Sequence, residues 1–338
     1  MASAVSPEFL AAFRQTAGDG GALSFARFME LALYHPDAGY YAQPRRRIGR
    51  APEADFFTAS SLGPVFGELV VAACAALLDQ RPPRDYTFVE IGAETSAGSV
   101  LAPTESGQAG VTHPFAAAAT ITLGLPLQLP ARAVVFSNEL FDAQPCHRLV
   151  REAGHWREGG VGLRGDALEE VLLPELTPEV HAVQDRLPAE EPDGYRIDLP
   201  LAAAQLAGRI AAQPWAGLFV AFDYGKTWRE LAEDTPAGTI RAYLRHQQSN
   251  DLLAHPGGQD LTCHVCWDCL SAALTAHGFA APVLESQEAF FVHHASAALS
   301  RLTAAEAGRF SGRKLGVMQL LHPGNMGQKF QVLWARRE

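Results

Sequence analysis

Three short apolar runs constrain the fold of this chain more than any other feature. They are Tyr86-Thr87-Phe88-Val89-Glu90-Ile91, Ala133-Val134-Val135-Phe136-Ser137 and Gly217-Leu218-Phe219-Val220-Ala221-Phe222. A strand with one face in water alternates apolar and polar residues. A nearly unbroken run fits a strand covered on both faces, as in the parallel sheet of an α/β protein. The runs give way to Gly92, Asn138 and Asp223, and open α/β sheets place their ligands beyond these C-terminal strand ends. The sequence therefore predicts a mainly parallel sheet with a candidate site along one rim.

The remaining elements follow from periodicity and punctuation. Helices are expected over 6–17, 24–34, 64–79, 199–213 and 267–277, with Ser24 as an N-cap. A hairpin is expected over 147–173, a strand near 288–293, and an edge strand over 329–335 after the turn at Pro323-Gly324. The formal net charge is −10, which argues against general binding to a phosphate backbone. The one basic cluster, Arg45, Arg46, Arg47 and Arg50, reads as a solvated loop, or as a meeting point for an anionic ligand or a partner. No targeting peptide and no membrane-spanning run is visible. Five cysteines, an odd number in a large chain, lead to the expectation of a reducing cytoplasm.

Several collinear motifs extend the picture. Near the N-terminus they are Phe28-Met29-Glu30-Leu31-Ala32-Leu33-Tyr34-His35-Pro36 with Gly39-Tyr40-Tyr41, Asp55-Phe56-Phe57-Thr58-Ala59, and Phe66-Gly67-Glu68-Leu69. Glu90-Ile91-Gly92-Ala93 and Ser137-Asn138-Glu139-Leu140-Phe141-Asp142-Ala143-Gln144-Pro145 follow, then Phe222-Asp223-Tyr224-Gly225. Gly238-Thr239-Ile240-Arg241-Ala242-Tyr243, His246, Gln259-Asp260-Leu261-Thr262, His264 and Met326-Gly327 complete the set.

In this order they resemble the MidA family of S-adenosylmethionine-dependent methyltransferases, which includes a protein arginine methyltransferase of mitochondrial complex I assembly. The resemblance spans roughly residues 25 to 335. It implies a class I methyltransferase (Rossmann-like) α/β sheet with an N-terminal helical segment and an inserted α+β region. The segment would cover 1–82 with a loop closing over cofactor and substrate. The α/β domain would cover 83–338 with the insertion around 147–213. The resemblance further implies S-adenosylmethionine as cofactor and a protein side chain, arginine, as acceptor, or a protein assembly partner. A homodimer is left open.

Carried over by position, Thr58, Glu90, Gly92 and Asn138 would meet the cofactor, and Glu139, Asp142, Asp223 and Tyr224 the reaction. Carboxylates at strand ends suit a guanidinium, which pairs with them bidentately. The bland alternatives are that Asn138 and Asp142 cap a helix beginning at Glu139, and that Asp223-Tyr224-Gly225 is a strand-ending turn.

The chain departs from the family pattern in one place. The expected Gly-x-Gly is Gly92-Ala93-Glu94, which adds bulk and a carboxylate where a cofactor carboxylate should lie. Gly98, Pro103, Gly107, Gly110 and Pro114 exclude the helix that should follow. Between Gly92 and Asn138 there is room for one short strand, near 119–123, followed by Gly124 rather than an acid. The sheet is therefore expected to be truncated, and the ribose-binding carboxylate missing. These departures favour two alternatives to methyl transfer: a non-catalytic protein-binding or assembly factor, or an enzyme with a different small ligand in the remodelled crevice. Cys263, Cys266 and Cys269 have a spacing that can bind metal, with His255 or Cys146 as a fourth ligand; buried structural cysteines are the commoner case, and no metal site is assigned.

Overall fold

The computed structural model describes residues 5–18, 21–43, 47, 62, 64–93, 99–102, 110–308 and 311–338. Its contacts divide the chain into two compact units. One comprises Met1–Phe57, Phe141–Leu206 and Lys226–Cys269; the other comprises Thr58–Leu140, Ala207–Gly225 and Leu270–Glu338.

The second unit is built on a six-stranded sheet. Its strands are β1 (Thr87–Ile91), β2 (Ala117–Ile121), β3 (Arg132–Asn138), β4 (Ala216–Asp223), β5 (Val283–Ser286) and β6 (Gln331–Arg337). Their spatial order is β5-β6-β4-β3-β1-β2. Strands β2, β1, β3 and β4 run parallel, β6 is antiparallel to β4, and β5 is antiparallel to β6. This is a Rossmann-like methyltransferase sheet, with a single strand lying in sequence between β1 and β3 among the described residues. The register places Ile91 beside both Ile121 and Ser137, and Asn138 beside Phe222. The ends of four neighbouring strands therefore share one rim.

The apolar runs that announced the parallel strands are buried as expected; β4 is buried at every position except its first. Helix Pro64–Leu77 lies against this sheet. The Phe66 ring sits 5.4 Å from Phe222 and 6.4 Å from Phe136, and all three are fully buried. Each such side chain contributes about 1.5–3 kcal/mol through burial. At the far edge, Ala117, Ala118 and Ala119 of β2 are exposed.

Four expectations are corrected here. Residues 329–335 do not form an edge strand, because Val283–Ser286 pairs along the outer side of β6. The run at 288–293 is helical, Gln287–His294, because the Ser286 hydroxyl caps it by accepting from the Ala289 amide. The expected hairpin is a three-stranded meander, His147–Glu152, His155–Arg164 and Ala167–Leu172. No helix begins at Glu139; the chain turns through 141–144 instead.

The first unit packs helices Pro7–Ala17 and Phe25–Tyr34 with that meander. Ser6 and Ser24 cap the two helices through Phe9 and Arg27 amides. Phe9, Phe13, Phe25, Phe28 and Met29 fill its core. Strands Ala22–Ser24 and Arg196–Leu199 extend the meander sheet. The motif Gly238-Thr239-Ile240 wraps a buried carboxylate here. Asp198 accepts from the Thr239 and Ile240 amides at 2.5 and 2.9 Å. A Cβ at Gly238 would meet its Oδ2 at 2.3 Å, so this motif has a structural reason in this chain. No helix among the described residues is long and apolar enough to cross a membrane.

Candidate active site

The rim of the second unit gathers six of the eight site residues predicted from sequence. Gly92 follows β1 directly. Its φ is +90°, and an added Cβ would lie 2.7 Å from the Leu140 Cδ1. Its amide donates to the Ile121 carbonyl at 3.0 Å. Conformation and space thus both require glycine, and the close approach of backbone to neighbour is what a cofactor cradle needs.

Glu90, two residues earlier on the strand, points inward and is 5% exposed. Its Oε2 accepts from the Ser99 hydroxyl at 2.5 Å and from the Val100 amide at 3.0 Å. Burial pushes its pKa up to about 7, against the pull of those two hydrogen bonds. The chain after Gly92 is therefore tied back onto Glu90. Residues 99–102 and 110–114 carry turns and extended chain rather than a helix.

On the other side of Gly92, β3 ends in Ser137 and Asn138. The Asn138 Nδ2 donates to Glu139 Oε1 at 3.1 Å. Among the described residues, the buried Ser137 Oγ and Asn138 Oδ1 have no hydrogen-bond partner. Such orphaned groups cost free energy unless something meets them, and they mark a place for a polar ligand.

Glu139 has φ +50°, a left-handed conformation rare for a side-chain-bearing residue. Its amide donates to the Phe222 carbonyl of β4 at 2.9 Å, which holds the strained residue in place. Asp223 ends β4 fully buried, its Oδ1 accepting from the Tyr224 amide at 2.9 Å. The turn-forming alternative for Asp223 is thus partly realised, and the Tyr224 ring packs edge-on against Phe330, 5.7 Å away.

Asp142 belongs to the first unit. There it is buried, and its backbone carbonyl accepts from the Cys263 amide at 2.8 Å. In the same unit the Tyr34 hydroxyl donates to the Ala143 carbonyl at 2.9 Å and the Tyr41 hydroxyl to Asp260 Oδ1 at 3.1 Å. Burial, then the charge of Asp260, raises both phenols well above their usual range. Thr58 and Glu94 lie outside the described residues. Sequence reasoning missed Ser137 and Ser99. Ser137 was legible as the first polar residue after an apolar run; nothing in a loop sequence points to Ser99.

The three thiols at 263–269 do not converge. Cys146 Sγ lies 3.6 Å from the Met29 sulfur and Cys263 Sγ 3.4 Å from the Thr239 hydroxyl, and among the described residues these thiols join no cluster of three ligand atoms. The chain passes from strand into helix between Cys266 and Cys269.

The sequence model of the family described as "Putative S-adenosyl-L-methionine-dependent methyltransferase" matches residues 113–284, half of the chain. The chain belongs to this methyltransferase family. It is 27% identical to "Protein arginine methyltransferase NDUFAF7 homolog, mitochondrial" of Drosophila melanogaster, over 72% of this chain and 65% of that protein. It is 25% identical to "Protein arginine methyltransferase NDUFAF7, mitochondrial" of Danio rerio, over 72% of this chain and 67% of that protein. The chain thus spans about two thirds of the length of these relatives, and just under it for the Drosophila protein. A COG1565 superfamily protein from Burkholderia thailandensis, solved with S-adenosyl-homocysteine bound, superposes with a TM-score of 0.81. It is 25% identical, over 100% of this chain and 95% of that one. A second structure from the same organism, at 23% identity and a TM-score of 0.77 over 100% and 95% of the two chains, has the same fold. The mitochondrial names of the relatives overturn the expectation of a cytoplasmic location.

S-adenosylmethionine is the cofactor of this methyltransferase family. The rim fits its amino-acid end, where the Gly92 cradle lies beside two unpartnered buried polar atoms, Ser137 Oγ and Asn138 Oδ1. At the ribose end β2 is followed by Thr122, Leu123, Gly124 and Leu125, with Leu123 57% exposed and no acid among them.

Proposed function

We propose that the chain is an S-adenosylmethionine-dependent methyltransferase whose acceptor is a protein side chain, arginine by preference. When bound, the cofactor supplies an electrophilic methyl group on a sulfonium centre. Gly92, Ser137 and Asn138 would hold its amino-acid end. Glu139 would orient the guanidinium through paired hydrogen bonds and take the proton that the attacking nitrogen releases. Asp223 and Tyr224 would line the acceptor side of the rim, and Thr58 and Asp142 keep the roles that the family pattern gives them. The observation that carries this reading is Glu139, a carboxylate held at φ +50° by the Phe222 carbonyl and by Asn138. Backbone strain of this kind is kept where a side chain must be aimed, and it costs about 1–3 kcal/mol. The names of the curated relatives support the choice of arginine.

The test has two parts. Calorimetry of the full chain with S-adenosylmethionine should give a saturable isotherm, and transfer of radiolabelled methyl groups to arginine-containing proteins should follow. No binding at about millimolar cofactor, a weakness worth only ~4 kcal/mol, would end this reading.

A second reading is a protein-binding or assembly role without methyl transfer. It is favoured by one observation, the engagement of Glu90 by Ser99 and Val100. Tight cofactor binding by the unmodified protein rules it out.

A further inference from the structure

The second unit brings together a cluster that the methyl-transfer reading does not use. Glu285 is on β5, and its side chain is 13% exposed. The chain then turns at Ser286 into helix Gln287–His294, whose last two residues are His293 and His294. Both imidazoles lie against the carboxylate that precedes the helix. His293 Nδ1 lies 2.6 Å from Glu285 Oε1, and His294 Nε2 lies 2.8 Å from Oε2. One ligand atom from each of the three residues falls within 4.8 Å of the others, and among the described residues this is the one such convergence found.

We propose that Glu285, His293 and His294 form a binding site for a divalent transition-metal ion, zinc in the first instance. Two imidazole nitrogens and a carboxylate oxygen are a borderline donor set. It suits zinc at about 2.0–2.2 Å from each atom, and other late first-row ions in the order of their general affinity. Small shifts of the three side chains bring the atoms to that spacing, because a metal replaces the protons that now bridge them. His293 is 60% exposed, so one side stays open to water as a further ligand.

The supporting shell is already built. The Trp334 indole on β6 donates to Glu285 Oε2 at 2.9 Å, orienting the carboxylate. The His294 ring packs edge-on against Trp334, 5.4 Å away, and tilted against Phe290, 5.2 Å away. A bound ion would tie helix Gln287–His294 to β5 and, through Trp334, to β6. The site uses none of the residues assigned to the cofactor crevice.

The experiment uses the metal-stripped chain and zinc chloride, read by calorimetry and by thermal melting. Cys266→Ser/Cys269→Ser protein serves as the background, because thiolates also bind zinc. The expected result is one zinc per chain with a Kd of about 10 µM or tighter. It is retained in the serine background and weakened at least tenfold by His294→Ala or Glu285→Gln. Trp334→Phe should weaken it roughly tenfold, as loss of a supporting hydrogen bond does. His293→Ala, at an exposed position that spares the fold, should abolish the zinc-dependent rise in melting temperature. No binding at about 1 mM zinc, or unchanged affinity in His293→Ala, overturns the proposal. Cofactor titration of the same samples is unaffected if the two sites are separate.

Discussion

At the ends of β3 and β4, the rim is held by its own strands. Asn138 steadies Glu139, Phe222 pins its amide, and Ser137 and Asn138 each leave a buried oxygen for something else. At the ends of β1 and β2, the rim is held by a loop. Ser99 and Val100 occupy the Glu90 carboxylate, no helix follows Gly92 among the described residues, and β2 ends among leucines. One side keeps unsatisfied polar groups and backbone strain, which are features a ligand repays. The other has satisfied its polar group internally. The contrast teaches that motif matches must be judged by whether their polar atoms are still available. Glu90 matches the family and is spoken for; Asn138 matches and has an oxygen to offer.

This comparison can be broken or sharpened by four measurements. The largest effect is expected at Glu139. Glu139→Gln keeps the shape and removes the charge, and should lower the methyl-transfer rate by about 10²–10⁴-fold while leaving cofactor affinity nearly unchanged. Equal loss of binding and rate would move Glu139 from the reaction to the cofactor. Next is Glu90. Its carboxyl is raised to about 7 in the folded protein, above the value of 4.5 expected when unfolded. The folded state therefore holds a proton that the unfolded state releases. Stability falls as pH rises from about 4.5 to about 7, by up to ~3 kcal/mol. Urea midpoints at pH 5 and pH 8 should differ for the parent protein and much less for Glu90→Gln.

A smaller effect is expected at Gly92. Gly92→Ala places a methyl 2.7 Å from Leu140 Cδ1 at a φ of +90°. It should cost about 1–3 kcal/mol in urea unfolding. Cofactor affinity measured by calorimetry should fall with it. If affinity is untouched, the cradle lies elsewhere. The smallest effect is at Ser137. Removing an unpartnered buried hydroxyl with Ser137→Ala should leave stability unchanged or raise it by up to ~1 kcal/mol, yet weaken cofactor binding severalfold. A clear loss of stability would show that the hydroxyl is already satisfied in solution.

The parallel strands were legible because burial on both faces forces an unbroken apolar run. The shortened sheet was legible too, since too few residues separate Gly92 from Asn138 to build another strand and its helix. Local cues misled where tertiary pairing overrode them. Phe290-Phe291-Val292 looks like a strand, but the Ser286 cap makes it a helix. The C-terminal strand looks like an edge, yet the short segment Val283–Ser286, with no apolar run to announce it, pairs outside it.

By itself, then, the sequence carried the family resemblance in its collinear motifs, and it determined the parallel core and the chain's shortage of room after Gly92 through the pattern and spacing of residues along the chain. Only the tertiary structure decided which polar atoms are spent and which are free. Ser99 reaches Glu90 across nine residues, and His293 and His294 reach back to Glu285. Hydrogen-bond partners are set by where a loop or helix returns in space, and spacing in sequence does not encode that return.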